Sequence, residues 1–434
     1  MILYDNNTIE STNGGYSEGG QPIYDTYVQI SRSTRGIMYQ PLTPGRKVHT
    51  AVVVIHSDTD YSVRPICGEL AKRGYTVFGG SVGGFGITLD VKLLEIKRVI
   101  AFLRDIGAKK IVLLGHSGGA TLMTAYQAAA ESELKALRRE ELVYTCRIEE
   151  VLPPADGVML LDANWGNGAM TLLSVDPAVI EEGNGVKLDP ELDIFNPANG
   201  YDPAGCHYSE AFKKRFYAAQ RERSNRLIRL AQERLFLIEH GKGRFNDDEP
   251  FIVAGGEQGA PSNRMIPQDT NLLAHTKNPY TLLLPEGKER REIIRCRRLP
   301  EGFFPGTPLL GESGLITTVR CYLSGQSVLA EEDFHVGDDG VYGVDWNSSY
   351  CCGVGNARHF RAPLLCMGMT AGYEYLAAEE IYLHADSPDK SIAFVEGATH
   401  LFTPDARAEA YPGEFGDTQK TLYDAADRWI SEHI

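Results

Sequence analysis

The stretch Ile111-Val112-Leu113-Leu114-Gly115-His116-Ser117-Gly118-Gly119-Ala120-Thr121 decides the fold. Four consecutive apolar residues, two of them β-branched, suit a short strand buried on both faces. The Gly-His-Ser-Gly-Gly that follows has the small residues a very tight turn needs, and a segment rich in Ala and Leu then runs towards Leu137 as a helix. A strand driven straight into a helix through so short a turn lifts the middle residue, Ser117, clear of the backbone. The helix N-terminus adds positive potential beside it.

Upstream of this turn the sequence repeats the same grammar. Tyr24 to Arg32 and Gly36 to Leu42 alternate partly and read as two edge strands. Ala51-Val52-Val53-Val54-Ile55, within His49 to His56, reads as a fully buried strand. Val63 to Arg73 is a helix stopped by Gly74, Tyr75 to Phe78 opens another strand, and Gly79 to Gly86 is a glycine-rich connection. Leu89, Leu93, Ile96, Ile100 and Leu103 mark a helix from Leu89 to Ile106 by their three- and four-residue spacing. Downstream, Gly157 to Leu161 is a strand ending at Asp162. Alternating strands and helices of this kind form a parallel sheet covered by helices on both faces.

The alternation stops near Asn164 and resumes near Phe360. Ala362 to Met367 and Ser391 to Val395 are then strands, Leu376 to Ala385 is a helix, and Asp417 to Ile430 is an amphipathic closing helix. The expected organisation is a core from 1–163 and 359–434, with 164–358 inserted before the last two strands as a large, mainly helical cap.

In that setting, Leu113 to Thr121 resembles the nucleophile elbow of the α/β-hydrolase superfamily, and the resemblance covers the two core segments. It implies an α/β-hydrolase fold with Ser117 as nucleophile and a histidine after the last strand as its base. Of 11 histidines, His400 in Gly397-Ala398-Thr399-His400 has that placement. The superfamily's oxyanion donors are the backbone N–H after the nucleophile, here Gly118, and one from the loop after the strand ending at His56. Asp58 takes the latter position, where His56-Ser57-Asp58 departs from the usual His-Gly. The usual acid slot, after the strand Ala362 to Met367, has Gly372 where Asp is customary. Glu374 is then the nearest carboxylate and the first choice of acid, with Asp162, Glu379 and Glu380 as alternatives; the last two also suit the acidic first turn of a helix. His116 and Trp165 are expected at the substrate pocket, alongside cap aromatics drawn from Phe195, Tyr201, Phe303, Phe304 and Trp346.

A serine with a histidine base implies acyl transfer to water. The expected activity is hydrolysis of a carboxylic ester or lactone of a medium-sized small molecule. Carbon–carbon, amide and thioester hydrolysis are alternatives, and a non-catalytic binding protein on a hydrolase scaffold is the alternative from another class. The sequence demands no metal and no organic cofactor. Its 43 Lys and Arg against 58 Asp and Glu, a net charge of −15, disfavour a nucleic-acid partner. There is no apolar run of about 18 residues for a membrane span and no signal-like start, so the chain is read as cytoplasmic, with a homo-oligomer left open. The eight cysteines show no zinc-ligand spacing and are expected as free, mostly buried thiols. Basic clusters at Ser209 to His240, a long helix, and at Leu282 to Leu299 are read as solvated faces.

Overall fold

The computed structural model describes residues 2–3, 20–84, 86–182, 184–202, 204–257, 265–300 and 314–434. Phe303 and Phe304 lie outside them, as does most of the N-terminal stretch before residue 20.

The first seven strands are β1 (Ile2–Leu3), β2 (Ile23–Gln29), β3 (Thr34–Pro41), β4 (Thr50–Ile55), β5 (Thr76–Val82), β6 (Lys110–Ser117) and β7 (Gly157–Ala163). Helices α1 (Pro65–Lys72), α2 (Leu89–Asp105) and α3 (Gly119–Glu131) connect the parallel ones. Period-two alternation sends side chains to opposite faces. On β4, Ala51, Val53 and Ile55 join the apolar cluster that packs α2 and α3. Val52 and Val54 face the other cluster, with Ile66 and Leu70 of α1. Both faces are thus buried, which is why the strand reads as an uninterrupted apolar run.

After β7 come α4 (Asn167–Ser174), the hairpin β8 (Val179–Glu181) and β9 (Asn184–Leu188), and the 30-residue helix α5 (Glu210–Glu239). The Ser209 hydroxyl caps α5 by accepting the N–H of Phe212 at 3.2 Å. Strand β10 (Pro250–Val253) pairs with a later strand, β13 (Leu315–Thr318), and between them lie β11 (His275–Leu283) and β12 (Glu289–Arg295). Helix α6 (Val319–Gly325), the hairpin β14 (Ala330–Val336) and β15 (Val341–Val344), and α7 (Gly353–Asn356) complete the insertion. The core resumes with β16 (Leu364–Met369), α8 (Tyr375–His384), β17 (Lys390–Val395) and α9 (Thr418–His433).

The central sheet runs β1-β2-β3-β5-β4-β6-β7-β16-β17-β11-β12. From β5 to β11 all neighbours are parallel, whereas β3 and β12 are antiparallel to theirs. Crossovers outward from β4 in both directions, with α1 and α9 on one face and α2, α3 and α8 on the other, make this an α/β-hydrolase fold.

Part of the insertion extends the core sheet instead of lying over it as a cap: β11 joins the central sheet in parallel with β17 through Thr281–Leu283, and β12 closes that edge. The basic cluster of 282–299 lies on an edge strand and the turn after it. Four of the eight basic residues of α5 pair with acids outside the helix: Arg223 and Arg226 with Glu182, Arg234 with Glu249, and Lys213 with Asp269. All eight cysteines are free thiols, six of them buried. No helix among the described residues is long and apolar enough to cross a membrane.

Candidate active site

At the C-terminal ends of neighbouring strands β6 and β7, two non-glycine residues adopt left-handed backbone, Ser117 at φ 53° and Asp162 at φ 46°. Such angles cost a side-chain-bearing residue on the order of 1–2 kcal/mol. At Ser117 the strain comes from reversing β6 into α3 in one residue. Gly115 permits this, since a Cβ there would stand 2.7 Å from the backbone N and Cα of Ala120.

Asp162 is fully buried, with both carboxylate oxygens engaged. Oδ1 accepts the N–H of Met369, at the end of β16, at 2.8 Å, and Oδ2 lies 2.7 Å from Nδ1 of His400. His400 stands in the loop after β17. Glu374, just before α8, brings Oε2 to 3.1 Å from the same Nδ1. The structure thus brings together His400, the first-choice acid Glu374 and the alternative Asp162, with Asp162 the nearer. Glu379 turns away, accepting the backbone N–H groups of Lys277 and Asn278, and Glu380 lies 3.3 Å from Lys277 Nζ. Burial pulls the pKa of His400 down, but the charges of Glu374 and Asp162 outweigh it and hold it at about 9.

Asp162, Glu374 and His400 offer ligand atoms within 4.8 Å of one another, a geometry that could also hold a cation. An ion on Nδ1 and the Asp162–His400 hydrogen bond exclude each other, because both need that nitrogen.

His116 is buried beneath the histidine loop. Its Nε2 is 2.8 Å from the carbonyl of His400 and its Nδ1 is 2.6 Å from the Tyr61 hydroxyl. A carbonyl only accepts, so Nε2 carries the proton and Nδ1 accepts from Tyr61. Burial pushes the His116 pKa well down, which keeps the ring neutral in this bridge. His116 also borders the cavity, and it ties the loop of the candidate base to the elbow.

Two expectations need correction. Trp165 is fully buried and does not reach the cavity. Gly166, at φ 116°, turns the chain so that the indole packs into the core, while Asn164 and Asn167 on either side line the cavity. Asp58 does not aim its N–H at the serine. That N–H and the one of Thr59 both donate to Nδ1 of His56, at 3.1 and 3.2 Å. The Asp58 carboxylate accepts from Ser57 Oγ at 2.6 Å and Asn167 Nδ2 at 2.8 Å, with Lys92 Nζ at 3.7 Å. Burial would raise its pKa, but Lys92 and these hydrogen bonds outweigh that and hold it below the usual value.

Ser117, His400, Glu374, His116 and His56 border one cavity of about 710 Å³, whose walls also include Arg64, Lys92, Asn164, Asn167, Met170, Ile316 and Gln326. Sequence reasoning gave no role to His56, Asn167 or Arg64; the last two belong to no motif, and His56 entered only as the first residue of the stretch that departs from His-Gly. Only the adjacency of His56 to the expected oxyanion loop pointed towards it.

No family model matches the sequence, and no curated protein sequence matches it. Among solved structures the chain is similar to the hypothetical protein PA2218 of Pseudomonas aeruginosa, at 11% identity and TM-score 0.43, covering 100% of both chains. It is also similar to a monoacylglycerol lipase of Paleococcus ferrophilus, at 13% identity and TM-score 0.39, covering 95% of this chain and 99% of that one. A third is the siderophore hydrolase EstB of Aspergillus fumigatus, at 12% identity and TM-score 0.39, covering 96% and 100%.

Proposed function

We propose that the chain is a serine hydrolase cleaving a carboxylic ester or lactone of a medium-sized small molecule through an acyl-enzyme on Ser117. The observation that carries this reading is the strained Ser117 sharing a cavity with His400, whose Nδ1 rests against a buried carboxylate. Ser117 Oγ attacks the carbonyl carbon while its proton passes to Nε2 of His400. The carbonyl oxygen becomes an oxyanion against the Gly118 N–H. Collapse breaks the bond to the alcohol oxygen, which takes the proton from Nε2. Water then repeats the sequence on the acyl-enzyme, releasing the acid and restoring the serine. Asp162 orients the imidazole and favours its charged form, and Glu374 adds a second negative charge on the same edge.

A cavity of about 710 Å³ suits a discrete small molecule. Stopped-flow hydrolysis of p-nitrophenyl esters, with a lactone panel beside it, tests the reading. A burst of p-nitrophenol equal to the enzyme concentration is expected where deacylation is slow. No turnover of any ester or lactone by the wild-type protein would contradict it.

A further inference from the structure

We infer that the side chain of His56 is the second oxyanion donor of this site, in place of the backbone N–H of Asp58. The inference rests on the serine-hydrolase reading. A ring nitrogen that accepts two N–H groups carries no proton, so the bonds from Asp58 and Thr59 to Nδ1 put the His56 proton on Nε2. That Nε2–H donates to no protein group among the described residues, and the ring borders the cavity. Its position is fixed relative to the nucleophile's neighbour: a Cβ on Gly118 would lie 3.0 Å from His56 Nε2. The missing side chain at residue 118 is what admits the ring. Stacking on Tyr61, with ring centres 5.1 Å apart and planes 6° from parallel, holds the orientation. Burial brings the His56 pKa down to about 4, so the ring stays neutral at working pH. The oxyanion then accepts from Gly118 N–H and His56 Nε2–H, and no proton leaves either donor.

The test compares His56→Leu and His56→Gln with wild type on p-nitrophenyl butyrate, with thermal melts to confirm folding. His56→Leu is expected to lower kcat by about 100-fold with little change in KM. His56→Gln, whose amide can donate, should recover part of that loss. Affinity for a trifluoromethyl ketone, which forms a hemiketal oxyanion on the serine, should fall in proportion to kcat/KM. A kcat for His56→Leu within about threefold of wild type overturns the inference. So does equal loss in both variants with unchanged ketone affinity, which marks a purely structural role. A wild-type enzyme inert to esters and to serine-directed probes overturns the underlying reading and this inference with it.

A separate observation points to an anionic group on the ligand. Arg64 borders the same cavity, and its guanidinium lies over the Tyr61 ring, 5.3 Å from the centroid. Among the described residues it makes no ion pair and no side-chain hydrogen bond. The other cavity cation, Lys92, is engaged: its Nζ donates to the Ser57 carbonyl at 2.5 Å and neighbours Asp58. In a chain of net charge −15, an uncommitted guanidinium in a cavity wall is a site for a carboxylate. Calorimetric binding of monomethyl glutarate and of neutral methyl valerate to Ser117→Ala protein tests this without turnover. The anionic ester should bind about tenfold tighter or more. Arg64→Gln should erase the difference, and Arg64→Lys should keep part of it. Equal binding of the two esters, or a preference that survives Arg64→Gln, overturns it.

Discussion

Asp162 and Glu374 converge on one atom, with Oδ2 and Oε2 at 2.7 and 3.1 Å from Nδ1 of His400. Two carboxylates this close repel unless a proton or a positive charge lies between them. Together they favour the imidazolium form of His400, in which Nε2 already carries a proton and cannot accept one from the serine until that proton is lost.

Ester hydrolysis should therefore have an alkaline optimum, with kcat/KM falling as pH drops through about 9. Glu374→Gln removes a charge that raises the His400 pKa, so its acid limb should move to lower pH. Asp162→Asn loses the nearer, fully buried partner and should lower kcat by about 10³- to 10⁴-fold. The pH profiles of the two single variants and the double variant check this. An unmoved limb in Glu374→Gln would contradict the role of the Glu374 charge in raising the His400 pKa.

The same shift sets a stability trend. The pKa of His400 is raised in the folded chain from 6.5 to about 9. Its contribution is fully present below about 6.5 and is lost as pH rises through about 9. Urea midpoints should fall over that window, and fall less steeply in Glu374→Gln.

Relief of strain at the elbow should be measurable. Ser117→Gly places at φ 53° the one residue that tolerates it freely, whereas Ser117→Ala keeps the strain. Both should be inactive, with the glycine variant more stable than the alanine variant by about 1 kcal/mol in thermal melts.

In the insertion, Arg223 is 3% exposed and forms a two-pronged pair with Glu182 at 2.9 and 2.8 Å. Arg223→Ala should cost about 2–3 kcal/mol, because it empties a buried position and leaves the Asp176 and Ala254 carbonyls without the donors that Arg223 gives them at 2.6 and 2.8 Å. Arg226→Ala, which removes a half-exposed partner of the same Glu182, should cost under about 1 kcal/mol. Urea denaturation of the two variants gives the comparison.

Strands whose residues face apolar layers on both sides, such as Ala51–Ile55 and Ile111–Leu114, declare themselves in sequence, and so does the elbow between β6 and α3. The strands β11 and β12 do not. Pro279 sits where the β11 register shifts, and Glu289-Arg290-Arg291-Glu292 is the charged, solvated composition that keeps an edge strand from pairing further. Their membership in the sheet is a tertiary fact. In the site, local sequence context singles out Ser117 and His400. The rank of the acids depends on how the ends of β7 and β16 abut, and the turn of the Asp58 N–H depends on a side-chain acceptor two residues back. Neither leaves a spacing signature. Trp165 reads as a pocket residue only until the Gly166 turn directs it inward.

The central claim, that Ser117 is an activated nucleophile served by His400, is tested most directly by labelling with a fluorophosphonate probe and mapping the adduct by mass spectrometry. The expected result is stoichiometric modification of Ser117 in the wild type, none in Ser117→Ala and strongly slowed modification in His400→Ala. An unmodified wild-type protein, or an adduct on another residue, would contradict it.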